Sequence, residues 1–357
     1  MMGPGPGPVA PAVLQAMAQP IIGIMDPAFL RLMEESQAML RAIFLTKNEL
    51  TFPVSGTGSA GMEFYFDTLV EPGEEVVVGI NGSFGLRMAD MAERCGARVT
   101  RVEAEWGRII EPEQMAAALK NKRPKLVALA HGETSTGVLT PTEEIGRLAR
   151  EAGALFMLDT VVTLGGCPVR VDQWGVDAAF SASQKCLGCP PGLAPVSLSA
   201  RAAAAMAKRK RPSQSWYLDG SLLAACWGPA HGYHHTTPIN MNYGLHEALR
   251  LALEEGLEKR WRRHEQNFLA LKKGLTRLGL ETAGEPEHPL WPLTAVRAPA
   301  GVDAGAVRTK LLTDFNIEVG EGFGPWRGKV WRVGLMGESS RGEYVEAFLA
   351  AMRKLLR

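Results

Sequence analysis

A single lysine, Lys185, stands among small and apolar residues in the stretch SASQKCLGCPPG, which covers residues 181–192. Because an apolar environment disfavours an ammonium ion, a lysine in such a stretch has a lowered pKa and offers a neutral amine. A neutral amine can attack an aldehyde and form a Schiff base. The alternative interpretation is a lysine whose stem lies on apolar surface while its ammonium group reaches solvent.

Two cysteines follow this lysine with the spacing Cys186-x-x-Cys189, which is typical of redox pairs and of metal ligands. No second cysteine pair and no histidine on a helix completes a tetrahedral site with Cys167. The adjacent His234 and His235 should point in opposite directions, as neighbours on an extended segment do. We therefore predict no metal site and expect the cysteines to be small buried side chains, with redox or zinc chemistry as the less favoured alternative.

An acid precedes the lysine at the end of another apolar segment. Asp159 follows the strand-like sequence ALFML, where a carboxylate needs a cation or several hydrogen-bond donors to offset the loss of water. A protonated pyridine nitrogen is one such cation, and pyridoxal phosphate (PLP) enzymes combine it with a lysine Schiff base. An aspartate bonded only to nearby backbone amides is the alternative.

A small-residue loop that opens a helix adds a possible anion site. Residues 55–59 read SGTGS and precede an apolar segment with helical spacing. Glycines let the backbone approach an anion, and hydroxyl and N–H groups at a helix N-terminus can donate to phosphate. Phe84, at the start of the next predicted helix, could stack on an aromatic ring. Taken alone, the loop could equally be a helix cap and Phe84 a core residue.

The elements that must position these residues alternate between short strands and helices. Apolar strands are predicted near residues 75–79, 97–102, 125–130 and 154–158, with helical segments between them. This alternation predicts an α/β fold with a parallel sheet whose two faces are covered. In such sheets ligands bind at the carboxyl ends of the strands, which is where Asp159 is placed.

The pattern divides the chain into three parts. We expect an N-terminal arm of residues 1–20, a large domain of residues 21–255 and a small α+β domain of residues 256–357. The arm starts with alternating proline and glycine and has little to pack on within its own domain. We therefore expect it to wrap around a partner subunit.

Composition narrows the function classes. The chain has 39 Lys and Arg against 38 Asp and Glu, a formal net charge of +1, so no basic face for nucleic acid is expected. The five cysteines are an odd number spread over a long chain, which indicates a reducing compartment. The sequence contains no apolar run of about 20 residues and no signal-peptide pattern, so we expect a cytoplasmic protein without a membrane span.

In their order along the chain, these motifs resemble the class V aminotransferases of PLP fold type I, and within them the alanine–glyoxylate and serine–glyoxylate group. The resemblance extends over nearly the whole chain. It implies bound PLP, a large domain with a mainly parallel seven-stranded sheet, a small C-terminal α+β domain, and a homodimer with shared active sites. The motifs that carry it are PGPGPV, SGTGSAGMEF, NGSFG, HGETSTGV, LDTVVTLGG, SASQK followed by PPG, YHHT and GKVWRVGLMG.

The resemblance also implies roles for individual residues. Lys185 would carry the cofactor as a Schiff base and move a proton at the substrate α-carbon, while Asp159 would keep the pyridine nitrogen protonated. Phe84 would stack on the ring, where the family often has tryptophan. Arg332 would bind the substrate carboxylate, and Gly23 would lie in the substrate site. The other cofactor contacts implied are Thr57, Gly58, Ser59, Thr134 and Gln184 from the same chain, and Tyr233 and Thr236 from the partner.

The implied function is the transfer of an amino group from L-alanine or L-serine to glyoxylate, which yields glycine. A small acceptor is consistent with a tight site that has Phe84, Trp331 and residues 21–24 among its walls. Another donor, 2-aminoethylphosphonate or ureidoglycine, stays an alternative. A cysteine desulfurase is less consistent, because those relatives usually have histidine at the position of Gln184 and a mobile cysteine later, whereas no cysteine follows Cys226.

Outside PLP chemistry, the glycine-rich loop and parallel sheet could belong to a nucleotide-binding dehydrogenase. The segment before that loop, residues 50–54, is interrupted by Pro53. No acid ends a second strand about 20 residues further on, as the dinucleotide-binding pattern requires. This alternative is therefore less favoured.

Overall fold

The computed structural model describes residues 1–356, whose strands form a large mixed sheet, a small antiparallel sheet and a two-stranded hairpin. Arg357, the last residue of the predicted small domain, lies outside the described residues. The strands are β1 (Leu50–Ser55), β2 (Glu75–Ile80), β3 (Arg98–Glu103), β4 (Leu126–Ala130), β5 (Gly132–Glu133), β6 (Val138–Leu139), β7 (Leu155–Asp159), β8 (Ala178–Phe180), β9 (Leu193–Leu198), β10 (Leu293–Arg297), β11 (Gly320–Glu321) and β12 (Val330–Gly334).

The large sheet has seven strands in the order β1-β9-β8-β7-β4-β2-β3. Strands β3, β2, β4, β7 and β8 are mutually parallel, and β9 runs antiparallel to both of its neighbours. Strands β4 and β7 are buried at every residue, which is why their sequences are almost entirely apolar and do not alternate with polar residues. The predicted α/β fold with a mainly parallel seven-stranded sheet is confirmed.

Several of the helices begin at residues with recognisable capping chemistry. In α2 the Asp26 carboxylate accepts a hydrogen bond from Ala28 N at 2.8 Å, and Pro27 occupies the first helical position. None of the helices in residues 1–356 has both the length and the apolar character needed to cross a membrane. The helices are α1 (Pro11–Met17), α2 (Pro27–Phe44), α3 (Gly58–Leu69), α4 (Ser83–Arg94), α5 (Pro112–Leu119), α6 (Glu143–Glu151), α7 (Ala200–Ala207), α8 (Gly220–Trp227), α9 (Ile239–Glu255), α10 (Leu257–Arg277), α11 (Ala304–Phe315) and α12 (Gly342–Leu355), with short 3₁₀ turns at Gly324–Trp326 and Gly337–Ser339.

Strand β1 forms despite the proline at its centre. Pro53 lies opposite Pro195 of β9, and β1 is an edge of the sheet. An edge strand tolerates a residue without an N–H because one side of the strand forms no ladder. The expectation that Pro53 interrupts this segment is therefore wrong. Because β1 is an antiparallel edge strand, the loop after it still does not match a dinucleotide-binding unit.

The C-terminal elements form a second layered unit with its own core. Strand β12 pairs antiparallel with both β10 and β11, and helices α10, α11 and α12 pack around this small sheet. Its core includes the fully buried side chains of Leu271, Trp331 and Phe348. Gly256, with φ 83°, separates α9 from α10 at the position where we place the boundary of the small domain.

The N-terminal arm packs on its own chain. Met2 is buried in the core of the small domain, and its carbonyl accepts a hydrogen bond from Gly334 N at 2.7 Å. Further along, α1 lies against α9 with Val13 buried. The expectation that the arm has little to pack on is therefore wrong, because the small domain and α9 supply apolar surface. Contact with a partner subunit stays a prediction, for which the exposed side chain of Leu14 in the arm is available.

Candidate active site

Most of the predicted site residues line one cavity of about 220 Å³. It lies where β7 ends and where the loops after β1, β4 and β8 converge, at the carboxyl ends of the parallel strands. This is where a ligand site is expected in a sheet of this type. The predicted residues among its walls are Thr57, Gly58, Ser59, Phe84, Thr134, Asp159, Gln184 and Lys185.

Lys185 lies in the loop between β8 and β9. Burial lowers the pKa of its amine to about 8, and the positive charge of Arg332 adds to this lowering. The amine donates a hydrogen bond to the carbonyl oxygen of Pro4 in the N-terminal arm. A substantial fraction of this amine is neutral near physiological pH and able to attack a carbonyl carbon.

Asp159 is the last residue of β7 and is 3 % exposed. Its Oδ1 accepts a hydrogen bond from Val161 N at 2.8 Å. Burial raises the pKa of this carboxyl to about 7, and the Val161 hydrogen bond partly opposes that shift. A protonated nitrogen in the cavity would stabilise the ionised carboxylate, so Asp159 suits the pyridine nitrogen of PLP.

The opposite part of the cavity suits an anion. Thr57 is the N-cap of α3, its hydroxyl makes no capping hydrogen bond, and Gly58 and Ser59 form the first turn of the helix. Arg87 donates to Ser59 Oγ at 3.2 Å and so brings a positive charge to the same place. Gln184 also lines the cavity, and its side-chain NH₂ group is the part that can donate a hydrogen bond to an anion. Hydroxyls, helix N–H groups and a cation match the phosphate of PLP.

Phe84 and Arg87 lie one turn apart near the start of α4. Both line the cavity, and the Arg87 guanidinium lies 4.9 Å from the centre of the Phe84 ring. The ring therefore provides an aromatic face in the wall of the cavity. Together with Lys185, Asp159 and the start of α3, it completes a residue set that fits PLP.

Arg332 borders the cavity from the small domain. It is 4 % exposed, its Nε donates to the carbonyl of Glu321 at 2.6 Å, and its Nη1 lies 3.4 Å from the carbonyl of Thr134. The guanidinium lies 3.8 Å from the centre of the Phe323 ring. Burial lowers the pKa of Arg332 to about 10, which leaves it charged at neutral pH and able to bind a carboxylate.

Four predicted site residues are not among the walls of this cavity: Arg332, which contacts the wall residues Thr134 and Phe323, and three that lie apart from it. Tyr233 is 70 % exposed, and Thr236 and Gly23 are also exposed. None of the three lines the cavity of its own chain. Contributions from Tyr233 and Thr236 to a partner's site, and from Gly23 to a substrate site, stay predictions.

Trp331 does not line the substrate site, so that expectation is wrong. Its ring is fully buried in the small domain, and its indole N–H donates to the carbonyl of Ala304 at 2.8 Å. Successive residues of a strand face opposite sides, so β12 directs Arg332 towards the cavity and Trp331 towards the core.

The two cysteines after the lysine are buried. Burial raises the pKa of both thiols, Cys186 and Cys189, to about 12. A thiol with so high a pKa is a poor nucleophile and a poor metal ligand at neutral pH. The Cys186 thiol donates a hydrogen bond to the carbonyl oxygen of Val162 at 3.1 Å, an interaction within the protein interior.

The expectation that His234 and His235 point in opposite directions is wrong. Their Nδ1 atoms lie 2.7 Å apart, and His235 Nε2 lies 2.7 Å from Ser55 Oγ at the end of β1. Residues 231–238 form no strand, so neighbouring side chains are not forced to alternate.

Sequence reasoning missed Arg87 and Phe323, which line the cavity, and Glu133, which holds the start of α4 beside it. Arg87 is one helical turn after Phe84, and this spacing was a usable signal because such residues share a helix face. Glu133 stands inside the quoted motif HGETSTGV, but its type and position alone do not reveal which groups it contacts. Phe323 lies in a glycine-rich loop of the small domain, and no local pattern distinguishes it from a core residue.

Comparisons with known proteins agree with this geometry. Residues 24–324 match the family model described as Aminotransferase class-V. The chain is 41 % identical to (S)-ureidoglycine–glyoxylate transaminase of Bacillus subtilis, covering 100 % of this chain and 90 % of the relative. It is 38 % identical to alanine–glyoxylate aminotransferase of Mus musculus, covering 100 % of this chain and 87 % of that protein. A crystal structure of alanine–glyoxylate aminotransferase from Nostoc sp. superposes with a TM-score of 0.98 at 48 % identity, covering 100 % of this chain and 94 % of that one.

Proposed function

The chain belongs to the class V aminotransferases, PLP-dependent enzymes of fold type I, and on that premise we propose that it transfers the amino group of L-alanine or L-serine to glyoxylate, forming glycine. The predictions of an aminotransferase and of PLP as its cofactor are confirmed by the family match. The acceptor and the two donors are our proposal. They are supported by the similarity to two kinds of glyoxylate transaminase.

One observation supports the proposal most directly. A lysine with a lowered pKa, a strand-end carboxylate and an anion-binding helix N-terminus line a single small cavity. A buried arginine at its edge can hold the carboxylate that amino acids and 2-oxo acids share. This set matches the needs of amino-group transfer more closely than those of hydride transfer or metal-assisted hydrolysis.

The roles of the residues follow from their positions. Bound PLP would supply an aldehyde that condenses with amines and a ring that accepts an electron pair. Lys185 would hold the cofactor and, when its Nζ is neutral, take a proton from the substrate α-carbon and return one. Asp159 would keep the proton on the pyridine nitrogen. Arg332 would orient the substrate carboxylate so that the α-carbon faces Lys185.

We further propose a homodimer in which each chain completes the other's site. Tyr233 and Thr236 are exposed and are not among the walls of their own chain's cavity. Exposed apolar groups nearby, Trp216 at 62 % and Tyr217 at 43 %, suit an interface with a second copy of the chain.

A panel of donors and acceptors on the purified, PLP-loaded protein tests the proposal. L-alanine, L-serine, ureidoglycine and 2-aminoethylphosphonate are paired with glyoxylate, pyruvate and 2-oxoglutarate, and amino-acid products are measured. We expect glycine from glyoxylate with alanine or serine as the best donor, and loss of all transfer in Lys185→Ala. If ureidoglycine is the best donor, the proposed donors are wrong but the proposed acceptor, glyoxylate, stays.

Other outcomes would overturn the proposal. Absence of glycine formation from every donor, while another acceptor is aminated efficiently, would show that glyoxylate is not the acceptor. Release of sulfide from cysteine at a rate above every transamination would show desulfurase chemistry instead.

A further inference from the structure

We propose that residues 2–7, which we call the strap, form one wall of the substrate site and limit the size of the side chain that the site accepts. The proposal rests on the amino-group transfer proposed above and identifies the part of the chain that sets its substrate range. The strap crosses from the small domain to the lysine loop and passes over the amine of Lys185.

Backbone hydrogen bonds hold both ends of the strap. At one end Met2 N donates to the carbonyl of Glu318 at 2.8 Å, and Gly334 N donates to the carbonyl of Met2 at 2.7 Å. At the other end Gly7 N donates to the carbonyl of Gln184 at 3.2 Å. The Met2 side chain is 2 % exposed and anchors the strap in the core of the small domain. A segment held in this way acts as a fixed wall and not as a loose tail.

The middle of the strap contacts the lysine. The carbonyl oxygen of Pro4 accepts a hydrogen bond from Lys185 Nζ. A Cβ placed on Gly5 would lie 2.5 Å from Nζ and 2.7 Å from Cδ of Lys185. Because these distances are far below van der Waals contact, the backbone of Gly5 already fills the space on this side of the amine. Its φ of 105° is one that glycine adopts without strain.

The strap also borders Arg332. Gly320 of β11 pairs in register with Arg332 of β12. A Cβ placed on Gly320 would lie 2.5 Å from Cδ of Pro4 and 3.4 Å from Cβ of Arg332. Pro4 therefore packs beside the arginine on the same small sheet. A substrate with its carboxylate at Arg332 and its α-carbon within reach of Lys185 must lie next to the strap.

The strap meets the cavity through Lys185, which lines it, and the size of the cavity indicates what the strap does. The cavity volume of about 220 Å³ has to include the cofactor. Ligand pockets are usually about 300–1,000 Å³, so little space is left for a substrate side chain. In a tight apolar pocket each added methylene changes specificity by about 10- to 200-fold. The strap should therefore favour substrates with short side chains.

The test follows the first half of the reaction, without any 2-oxo acid. Cofactor absorbance is recorded after PLP-loaded enzyme is mixed with L-alanine, L-2-aminobutyrate or L-norvaline, which differ by one methylene each. In the natural protein we expect the second-order rate constant to fall about 10-fold or more per methylene. In a variant that lacks residues 2–7 we expect a fall of about threefold or less per methylene.

Two further variants cover the case in which the deletion unfolds the small domain. The double substitution Pro4→Gly with Pro6→Gly keeps the chain length and loosens the strap, so it should weaken the discrimination. Gly5→Ala adds a methyl group against Lys185 and should slow L-norvaline more than L-alanine. Gly342→Ala is the matched control, since a Cβ at Gly342 meets no atom within 4 Å, and it should behave as the natural protein does.

A second readout does not depend on turnover. The dissociation constants of acetate, propionate, butyrate and valerate are measured from the shift in cofactor absorbance, and the loosened strap should improve binding of the longer acids most. The proposal is wrong if folded strap variants that retain PLP discriminate among the donors and the acids as the natural protein does. Neither readout uses glyoxylate, so a failure of glycine formation would overturn the proposed function without affecting this result.

Discussion

Phe84 and Glu133, 49 residues apart in the sequence, are joined by a hydrogen bond of 3.0 Å from Phe84 N to Glu133 Oε2. The same oxygen accepts from Gly85 N at 3.4 Å, while Oε1 accepts from the N–H and the hydroxyl of Ser135. Glu133 has no exposed surface, and burial raises its pKa while these donors oppose the shift. The carboxylate therefore ties the start of α4, which carries the aromatic wall of the site, to the loop that contains Thr134.

We expect Glu133→Gln to loosen this connection. A glutamine keeps the size of the side chain but offers only one acceptor oxygen, so buried donors lose their partner at a cost of about 1–3 kcal/mol in the free energy of unfolding. Because Phe84 then shifts, the visible circular dichroism of bound PLP should change and its dissociation constant should rise. Urea unfolding, circular dichroism and cofactor titration measure these effects.

The exposed Glu63 on α3 provides a control for this substitution. Glu63→Gln should change the free energy of unfolding by less than about 0.5 kcal/mol and leave the cofactor spectrum unchanged. A Glu133→Gln protein with the same spectrum and PLP affinity as the natural one would show that this carboxylate does not position the aromatic wall.

Attachment of PLP to the cofactor-free protein should accelerate with pH, with a midpoint near 8. Burial lowers the pKa of Lys185 to about 8, and only the neutral amine attacks an aldehyde, so the reactive form predominates above that pH. At pH 7.5 about a quarter of the amines are neutral, against about a thousandth for an ordinary lysine. Stopped-flow absorbance at a series of pH values measures the midpoint, and a midpoint near 10 would contradict the lowered pKa.

The charge of Arg332 should contribute to that midpoint. A positive charge near an amine disfavours its protonation, so Arg332→Gln should raise the pKa of Lys185 and move the midpoint to higher pH. Arg94→Gln, at an exposed residue paired with Asp90, is the control and should leave the midpoint unchanged. If Arg332→Gln and Arg94→Gln have the same midpoint for PLP attachment, burial and not the charge of Arg332 lowers the pKa of Lys185.

The sequence was most informative where chemistry and local structure coincide. Asp159 was found because it ends an apolar strand, and a parallel sheet brings the carboxyl ends of such strands to one edge. Lys185 was found because it is the only charged residue in a stretch of small and apolar residues. The loop of residues 55–59 was recognised as a possible anion site because glycines and hydroxyls precede a helix, but the same pattern also fits an ordinary helix cap. The other predicted residues of the cavity, such as Thr134 and Gln184, came from the resemblance to the class V aminotransferases and not from these local patterns.

Contacts between distant segments were not predictable in this way. Pro4 lies 181 residues from Lys185 in sequence, and nothing in a proline–glycine repeat indicates that it packs over an amine. Likewise, Trp331 and Arg332 are neighbours, and which of them faces the cavity depends on the strand register, which the sequence alone left open. Such features follow from tertiary packing and not from local residue type.

Arg332→Ala should weaken substrate binding far more than cofactor binding. Loss of a buried charge that pairs with the substrate carboxylate typically changes affinity by about 30- to 5,000-fold, so the KM for amino donors should rise within that range. The dissociation constant of PLP should change by less than about threefold, because Arg332 lies apart from the residues that suit its phosphate and ring nitrogen. Steady-state kinetics and cofactor titration measure the two effects, with Arg332→Lys expected to be intermediate since it keeps the charge without the planar fork. Equal losses of substrate and cofactor affinity would show that the carboxylate site is misplaced.

If two chains complete each other's sites, two inactive variants should restore activity when mixed. Lys185→Ala lacks the reactive amine, and the double variant Tyr233→Ala with Thr236→Ala lacks the side chains that we propose reach the partner's cofactor. Random exchange of subunits makes half of the dimers mixed. In each mixed dimer the chain that keeps Lys185 receives Tyr233 and Thr236 from its partner, so one of the two sites is complete. Mixing at equal concentrations, after mild denaturation and refolding, should therefore recover about a quarter of the natural activity, as expected for a twofold-symmetric dimer.

The recovered activity distinguishes a shared site from two independent ones. If Tyr233 and Thr236 act only within their own chain, no combination of the two variants contains a complete site, and mixing yields the mean of the separate activities. Light scattering of the unmixed natural protein gives the oligomeric state, and a monomer would exclude the shared site directly. Because both residues are exposed in the single chain, their substitution should leave its free energy of unfolding nearly unchanged, so a loss of activity cannot be attributed to unfolding.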